Sequence, residues 1–167
     1  MENVEQTKQL VHDLAYYYEK TYGCCSQCVL GAIKSTVGNV SDSVFKASTG
    51  FGAGLSGAGY SCGALTGGIM AINSFCGREF SNFPDPQRTR FTAFRLTRKL
   101  VDRFEKEYGS ADCRDIQTKL MGRSFDILKE GERDLLIAAG GHDTKCTGVC
   151  GKSAAWVIDI LNEEGLL

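Results

Sequence analysis

The sequence predicts an all-α protein, and three features lead to that prediction. Apolar residues recur at helical spacing through most of the 167 residues. The two prolines, Pro84 and Pro86, fall in one short stretch, so long segments on either side contain no helix breaker. No segment shows the alternation of apolar and polar residues that is typical of a half-buried strand. We therefore expect a single domain over residues 1–167, a bundle of about seven to eight helices.

The first half of the chain contains four helical segments and one glycine-rich segment. Apolar spacing predicts helices over residues 3–20 and 25–37. Ser41 is a good N-cap for a short third helix in SDSVFKAS. Five glycines between residues 50 and 59 predict a loop, because glycine disfavours regular helix. A fourth helix of small residues is expected to follow this loop, over residues 62–75.

The second half begins with a long charged helix. Asp85 followed by Pro86 is a typical helix start, and the pattern continues to Tyr108. Phe91 and Phe94 are expected on the apolar face of this helix. Three further helices are predicted within residues 113–120, 124–138 and 147–164.

Composition restricts the class of partner and the compartment. The net charge is −1, and 43% of the residues are apolar, which is typical of a folded protein without a nucleic-acid surface. No apolar run approaches the length of about 18 residues that a membrane span needs. The first residues, MENVEQTKQL, are polar and do not resemble a signal peptide. We expect a cytoplasmic protein that binds neither nucleic acid nor membrane.

Two short motifs suggest nucleotide binding but lack the required context. GAGLSG at residues 52–57 fits G-x-G-x-x-G, but no strand is predicted before it. GKS at residues 151–153 lacks the first glycine of a phosphate-binding loop. The two histidines carry no clear pattern either. We expect His12 to be a surface or hydrogen-bonded helix residue, and we expect His142 to be an exposed loop residue rather than a ligand.

The chain contains eight cysteines, an unusual number for this length. Because a reducing compartment is expected, a disulfide framework is a poor first interpretation. Metal ligation, redox chemistry and simple burial remain as alternatives. The eight are Cys24, Cys25, Cys28, Cys62, Cys76, Cys113, Cys146 and Cys150.

Four of the cysteines stand at predicted helix starts, and we call Cys25, Cys62, Cys113 and Cys146 the four-cysteine set. The free backbone N–H groups and positive end of a helix dipole favour a thiolate there. We therefore expect the pKa of these thiols to fall from ~8.5 to ~7 or lower. The bare backbone at Gly57, Gly59 and Gly63 would approach a bound sulfide or other anion closely, so these glycines are candidate cofactor-binding residues.

The cysteine motifs resemble a known family, the redox-active proteins named for their C_GCAxxG_C_C pattern. The resemblance runs from about residue 10 to residue 164. Its CGAxxG core stands at residues 62–67, and the family cysteines correspond to the four-cysteine set, with Cys150 as an alternative to Cys146. A related domain occurs in split-Soret cytochromes, which implies an iron–sulfur centre. The segments that carry the resemblance are YGCCSQCVL, FGAGLSGAGYSCGALTGGIMA, FEKEYGSADCRDI and KCTGVCGKSAAWVIDIL.

The resemblance implies a redox protein whose four-cysteine set serves as redox thiols or as metal ligands. Four cysteines are extra to the family pattern: Cys24, Cys28, Cys76 and Cys150. Cys28 and Cys150 lie about one turn from family cysteines and are candidate additional ligands. Three functions stay open: an iron–sulfur electron carrier, a metal-free thiol–disulfide protein, and a helical module with structural zinc. For the cluster and the disulfide alternatives we expect at least three of the four sulfurs to lie within about 10 Å of one another, with Cys28 or Cys150 at the edge of the group. Whether the protein is an enzyme, its redox partner and a homodimeric assembly are left open.

Overall fold

Eight right-handed α-helices carry most of residues 2–167, which the computed structural model describes with the exception of the Glu2 side chain. Met1 lies outside the described residues. Within residues 2–167 the backbone forms no β-strand, only an isolated bridge between Ser61 and Asp112. The helices are α1 (Glu2–Thr21), α2 (Cys25–Thr36), α3 (Asp42–Ala47), α4 (Gly63–Cys76), α5 (Thr89–Tyr108), α6 (Cys113–Met121), α7 (Glu132–Ala138) and α8 (Cys146–Glu163).

The predicted all-α fold is confirmed, and local signals explain where several helices begin and end. The Ser41 hydroxyl accepts a hydrogen bond from the Val44 backbone N–H at 3.2 Å and caps α3. Gly109 and Gly122 end α5 and α6 with left-handed backbone angles that glycine adopts without steric cost. Capping residues and glycine stops act on the backbone next to them, so the amino-acid sequence is sufficient to locate these helix ends.

The glycine-rich segment differs from the predicted loop. Ser48–Phe51 forms a 3-10 turn, and the following turn has left-handed angles, with φ of 53° at Ala53, 66° at Gly54 and 62° at Leu55. A Cβ on Gly54 would lie 2.5 Å from the Cβ of Cys113. The chain therefore coils tightly here, and Gly54 packs directly against the start of α6.

The start of α5 also differs from the prediction. The helix begins at Thr89 instead of Pro86, and Asp85 precedes it with a φ of 55°. The Asp85 carboxylate still caps the helix, since it accepts hydrogen bonds from the backbone N–H groups of Thr89 at 2.7 Å and Arg90 at 3.2 Å. Asp85 is therefore the capping residue that the sequence predicted, but residues 86–88 form a turn between it and the helix that it caps.

The expected burial of Phe91 and Phe94 is wrong. Their side chains are 52% and 62% exposed, whereas Leu96, Leu100 and Phe104 are buried. The buried residues recur at spacing of about four, and this stripe faces the other helices. Phe91 and Phe94 lie off that stripe, so they face outward despite their apolar character.

The core lies between α1, α2, α4, α5 and α8, and its close packing positions the cysteines. α1 runs along α8, and α2 packs on both α1 and α4. Gly67 of α4 meets the backbone of Ser26 so closely that a Cβ would lie 2.9 Å from its Cα. Consequently the starts of α2 and α4 lie side by side. None of the helices in residues 2–167 has both the length and the apolar character needed to cross a membrane.

Candidate functional site

Each member of the four-cysteine set stands at a helix start. Cys25, Cys113 and Cys146 are the first residues of α2, α6 and α8, and Cys62 is the N-cap of α4. The sequence predicted these positions. Four separate helices therefore contribute one cysteine each, from places far apart in the chain.

Backbone contacts bring three of these helix starts together. The Cys62 N–H donates to the Ala111 carbonyl at 2.9 Å, and the Cys113 N–H donates to the Tyr60 carbonyl at 2.7 Å. These two bonds tie the residues before α4 to those before α6. Cys25 is adjacent as well, since a Cβ on Gly63 would overlap its sulfur.

All four cysteines line one cavity of about 290 Å³, which we call the cysteine cavity. The left-handed turn forms part of its wall through Gly52 and Ala53. Other groups that line it include Glu19, Cys24, Arg133 and His142. The cavity thus combines thiols with a carboxyl and an imidazole.

Burial changes the acid–base character of the cysteines in the direction opposite to that expected. Desolvation raises the pKa of Cys62 to about 11 and that of Cys113 to about 12, and it raises the pKa values of Cys25 and Cys146 as well. Backbone amides oppose this rise, those of Leu65 and Ala64 at Cys62 and that of Ala53 at Cys25. The expectation of a lowered pKa was wrong, because the loss of water around a buried sulfur outweighs the helix N-terminus.

Glu19 is the principal residue that sequence reasoning missed. Its side chain lies near the end of α1, is 3% exposed and lines the cysteine cavity. Desolvation raises its pKa to about 7, and the thiols of Cys28 and Cys150 beside it partly offset the rise. Its Oε2 atom is buried and has no hydrogen-bond partner in the described residues. Val11, Ala15 and Glu19 are spaced by four, which could have indicated that Glu19 shares their buried helix face.

His142 is not the exposed loop residue that we expected. It lies in a π-helical turn, Gly141–Lys145, and its side chain is 23% exposed. Its Nε2 atom is 3.6 Å from Oε1 of Glu19. Desolvation and the nearby Arg133 both lower the pKa of His142, so the neutral imidazole is favoured.

The remaining cysteines occupy different environments. Cys28 and Cys150 are buried beside Glu19, whereas Cys24 is partly exposed and lines the cysteine cavity. Cys76 ends α4, and its thiol donates to the Ile72 carbonyl at 3.4 Å. All eight cysteines are free thiols.

The three candidate cofactor-binding glycines lie in different surroundings. Gly63 leaves space for the Cys25 sulfur. A Cβ on Gly57 would lie 2.8 Å from Oδ1 of Asp126, and one on Gly59 would lie 3.2 Å from Cβ of Arg114. In residues 2–167, no group of three His, Cys, Asp or Glu side chains is close enough as it stands to hold a metal ion.

Comparison with protein families gives one match. Residues 22–160 match the family described as "Putative redox-active protein (C_GCAxxG_C_C)". The chain belongs to this family. The match spans the four-cysteine set and nearly the whole cysteine cavity, so the C_GCAxxG_C_C assignment applies to the site itself. Neither the curated proteins nor the solved structures that were compared contain a match to the chain.

Proposed function

We propose that this C_GCAxxG_C_C protein is an electron carrier that holds an iron–sulfur centre on Cys25, Cys62, Cys113 and Cys146. One observation carries the proposal: four cysteines from four separate helix starts line the same cavity. Four thiolates are the usual ligand set of iron–sulfur clusters. Scattered core cysteines would have no reason to meet in one place.

The room around the sulfurs supports this ligand set. The cysteine cavity measures about 290 Å³, which is larger than the space occupied by a single ion. The residues present therefore fit a group with several atoms.

The electrostatics of the site are consistent with ligands that lose their protons only on binding. Because burial raises the pKa of all four thiols, they are protonated at neutral pH without a metal. Metal ligation requires thiolates, so binding releases protons. The amides of Ala53, Ala64 and Leu65 then stabilise negative charge on the sulfurs. A bound centre would supply one-electron transfer.

The proposal is tested by purification without oxygen, followed by iron and acid-labile sulfide analysis and a visible spectrum. We expect iron, sulfide and broad visible absorption. Single alanine substitutions of the four-cysteine set should each abolish or strongly reduce all three signals. Cys76→Ala is the matched control, because Cys76 lies at the far end of α4, and it should retain them.

Other outcomes would assign the alternatives. A colourless protein in which oxidation consumes two thiols for each disulfide formed would support a metal-free thiol–disulfide protein. Stoichiometric zinc without sulfide would support a structural zinc site. Retention of iron and sulfide after loss of Cys25 or Cys62 would contradict the proposed ligand set.

A further inference from the structure

A second cleft lies beside the cysteine cavity, on the outer side of α2. Tyr18 and Tyr22 of the α1 end form one wall, with ring centroids 5.9 Å apart. Phe45 of α3 lines the cleft as well. The cleft has a volume of about 550 Å³, which is within the range of small-molecule sites. We call it the aromatic cleft.

Gly31 of α2 lies close to two of these rings. A Cβ at Gly31 would lie 3.5 Å from Cε2 of Phe45 and 3.6 Å from two ring carbons of Tyr18. Ring carbons of Phe45 and Tyr18 thus both lie within van der Waals distance of the position that a side chain on Gly31 would occupy. Because glycine adds no side chain here, a planar aromatic group in the cleft could pack against these rings in the offset or edge-to-face arrangements that aromatic pairs favour.

The polar side chains around the aromatic cleft already have partners. Lys34 donates to the Val40 carbonyl at 2.6 Å and pairs with Asp42 at 3.1 Å. The Gln27 amide donates to the Phe45 carbonyl at 3.2 Å and to the Thr49 hydroxyl at 3.0 Å. Ring surface is therefore the main recognition element that the cleft offers.

The aromatic cleft and the cysteine cavity share a wall. Tyr22, Gly23 and Cys24 line both. Tyr22 is 72% exposed although it is aromatic, and it stands between the two spaces. A molecule in the aromatic cleft would lie next to the cysteine cavity, separated from it by only this short segment.

We propose that the aromatic cleft binds a planar aromatic redox carrier, a flavin or quinone ring, which exchanges electrons with the cysteine cavity. The electron-exchange role rests on the proposed function, whereas the binding itself does not. In each exchange the reduced carrier loses one electron and the iron–sulfur centre on the four-cysteine set gains it. Any proton that the carrier releases leaves to water through the open side of the cleft.

Binding is tested with two probes, riboflavin and a water-soluble naphthoquinone, by fluorescence titration of the full-length protein. We expect saturable binding of at least one probe. Phe45→Ala and Gly31→Ala should each weaken that binding about three- to tenfold, because each removes or obstructs a stacking contact. Gly31→Ala is informative, since the added methyl makes only ordinary contacts and alanine favours helix, so folding is retained.

Phe80→Ala is the control, because Phe80 is 91% exposed and lies outside the cleft. It should bind the probe as the unmodified protein does. Absence of binding of both probes at about 1 mM, or equal affinity in all variants, would overturn the inference.

The same titration on Cys62→Ala separates this inference from the proposed function. We expect unchanged probe affinity, because Cys62 does not line the aromatic cleft. Cleft-dependent binding by a protein that never holds iron would refute the iron–sulfur proposal and leave the cleft as a binding site. An iron-loaded protein that binds neither probe would support the iron–sulfur proposal and refute the aromatic cleft as a binding site.

Discussion

At the scale of single residues, Gly63 shows how the absence of one methyl group makes the cysteine cavity possible. It is the first residue of α4, and a Cβ there would overlap the Cys25 sulfur and lie 2.9 Å from the Phe51 carbonyl oxygen. The Phe51 carbonyl oxygen belongs to the backbone, so it cannot move aside at low energetic cost. The helix start therefore depends on glycine at this position.

We expect Gly63→Ala to lower the free energy of unfolding by about 1–3 kcal/mol, because it overfills a packed site. It should also reduce iron content, since the Cys25 sulfur must move. Urea unfolding and iron analysis measure the two effects. Gly148→Ala in α8 is the control: nothing lies within 4 Å of its added Cβ, so it should be neutral or stabilising by up to about 1 kcal/mol. Equal stability of the two variants would contradict the expected clash.

Glu19 gives the protein a pH dependence that no exposed carboxyl would give. Its pKa rises from 4.5 unfolded to about 7 folded because burial disfavours the charged form. Between pH 4.5 and pH 7, the Glu19 carboxyl is therefore protonated in the folded state and ionised in the unfolded state. Stability from this group is fully present below about pH 4.5 and is lost as pH rises through about 7.

For the reduced, metal-free protein, we expect Glu19 to lower the free energy of unfolding by about 3 kcal/mol between pH 4.5 and pH 8. Glu19→Gln should remove this part of the pH dependence, because the amide does not ionise. Urea unfolding at a series of pH values, compared between the two proteins, measures it. Glu105→Gln on the exposed surface is the control variant, and it should keep the loss of stability that Glu19 causes. Parallel pH curves for the Glu19 variant and the unmodified protein would rule out this role.

At the scale of helices, α4 holds the site together through small residues that face three neighbours. Gly67 meets the backbone of Ser26 in α2, whereas Gly68 meets the Leu100 side chain in α5 and the Ser153 hydroxyl in α8. The backbone of Ser26, which Gly67 meets, is rigid, whereas the Leu100 methyl that Gly68 meets is the end of a flexible side chain. The position of α2 against α4 therefore depends more strongly on Gly67.

We expect Gly67→Ala to destabilise the protein more than Gly68→Ala, with a cost of about 3 kcal/mol for the former. It should also lower iron content, because separating α2 from α4 moves Cys25 away from Cys62. Gly68→Ala is the matched control in the same helix and should retain more iron. Thermal unfolding and iron analysis of both variants provide the comparison, and the reverse order would contradict this account of the helix contact.

At the scale of the whole molecule, four helices that are distant in sequence share one site. The proposed centre, held by all four cysteines, would join the starts of α2, α4, α6 and α8, and it would bind the folded chain far better than the unfolded one. Ligand binding to the folded state alone raises stability by mass action.

Removing the proposed centre with a chelator under argon should therefore lower the melting temperature by roughly 5–10 °C. Circular dichroism before and after chelation measures the shift. Cys76→Ala should show the same shift, since Cys76 lies outside the cysteine cavity. A shift of zero in an iron-loaded protein would show that the centre does not link the four helices.

The sequence by itself determined the helical class, most helix boundaries and the placement of Cys25, Cys62, Cys113 and Cys146 at helix starts. Apolar spacing, capping residues and glycine stops act within a few residues of where they occur, so they can be identified along the chain. The ordered cysteine motifs were also sufficient to identify the family.

Only the tertiary structure decided the direction of the thiol pKa shifts, the burial of Glu19, the partial burial of His142, and the outward position of Phe91 and Phe94. Each depends on which surfaces meet, and a helix start that favours a thiolate in water no longer does so once packing removes the water. The left-handed turn at Ala53 has the same origin. Its backbone angles accompany a close contact between Gly54 and the start of α6, whereas the local sequence alone predicted an open loop.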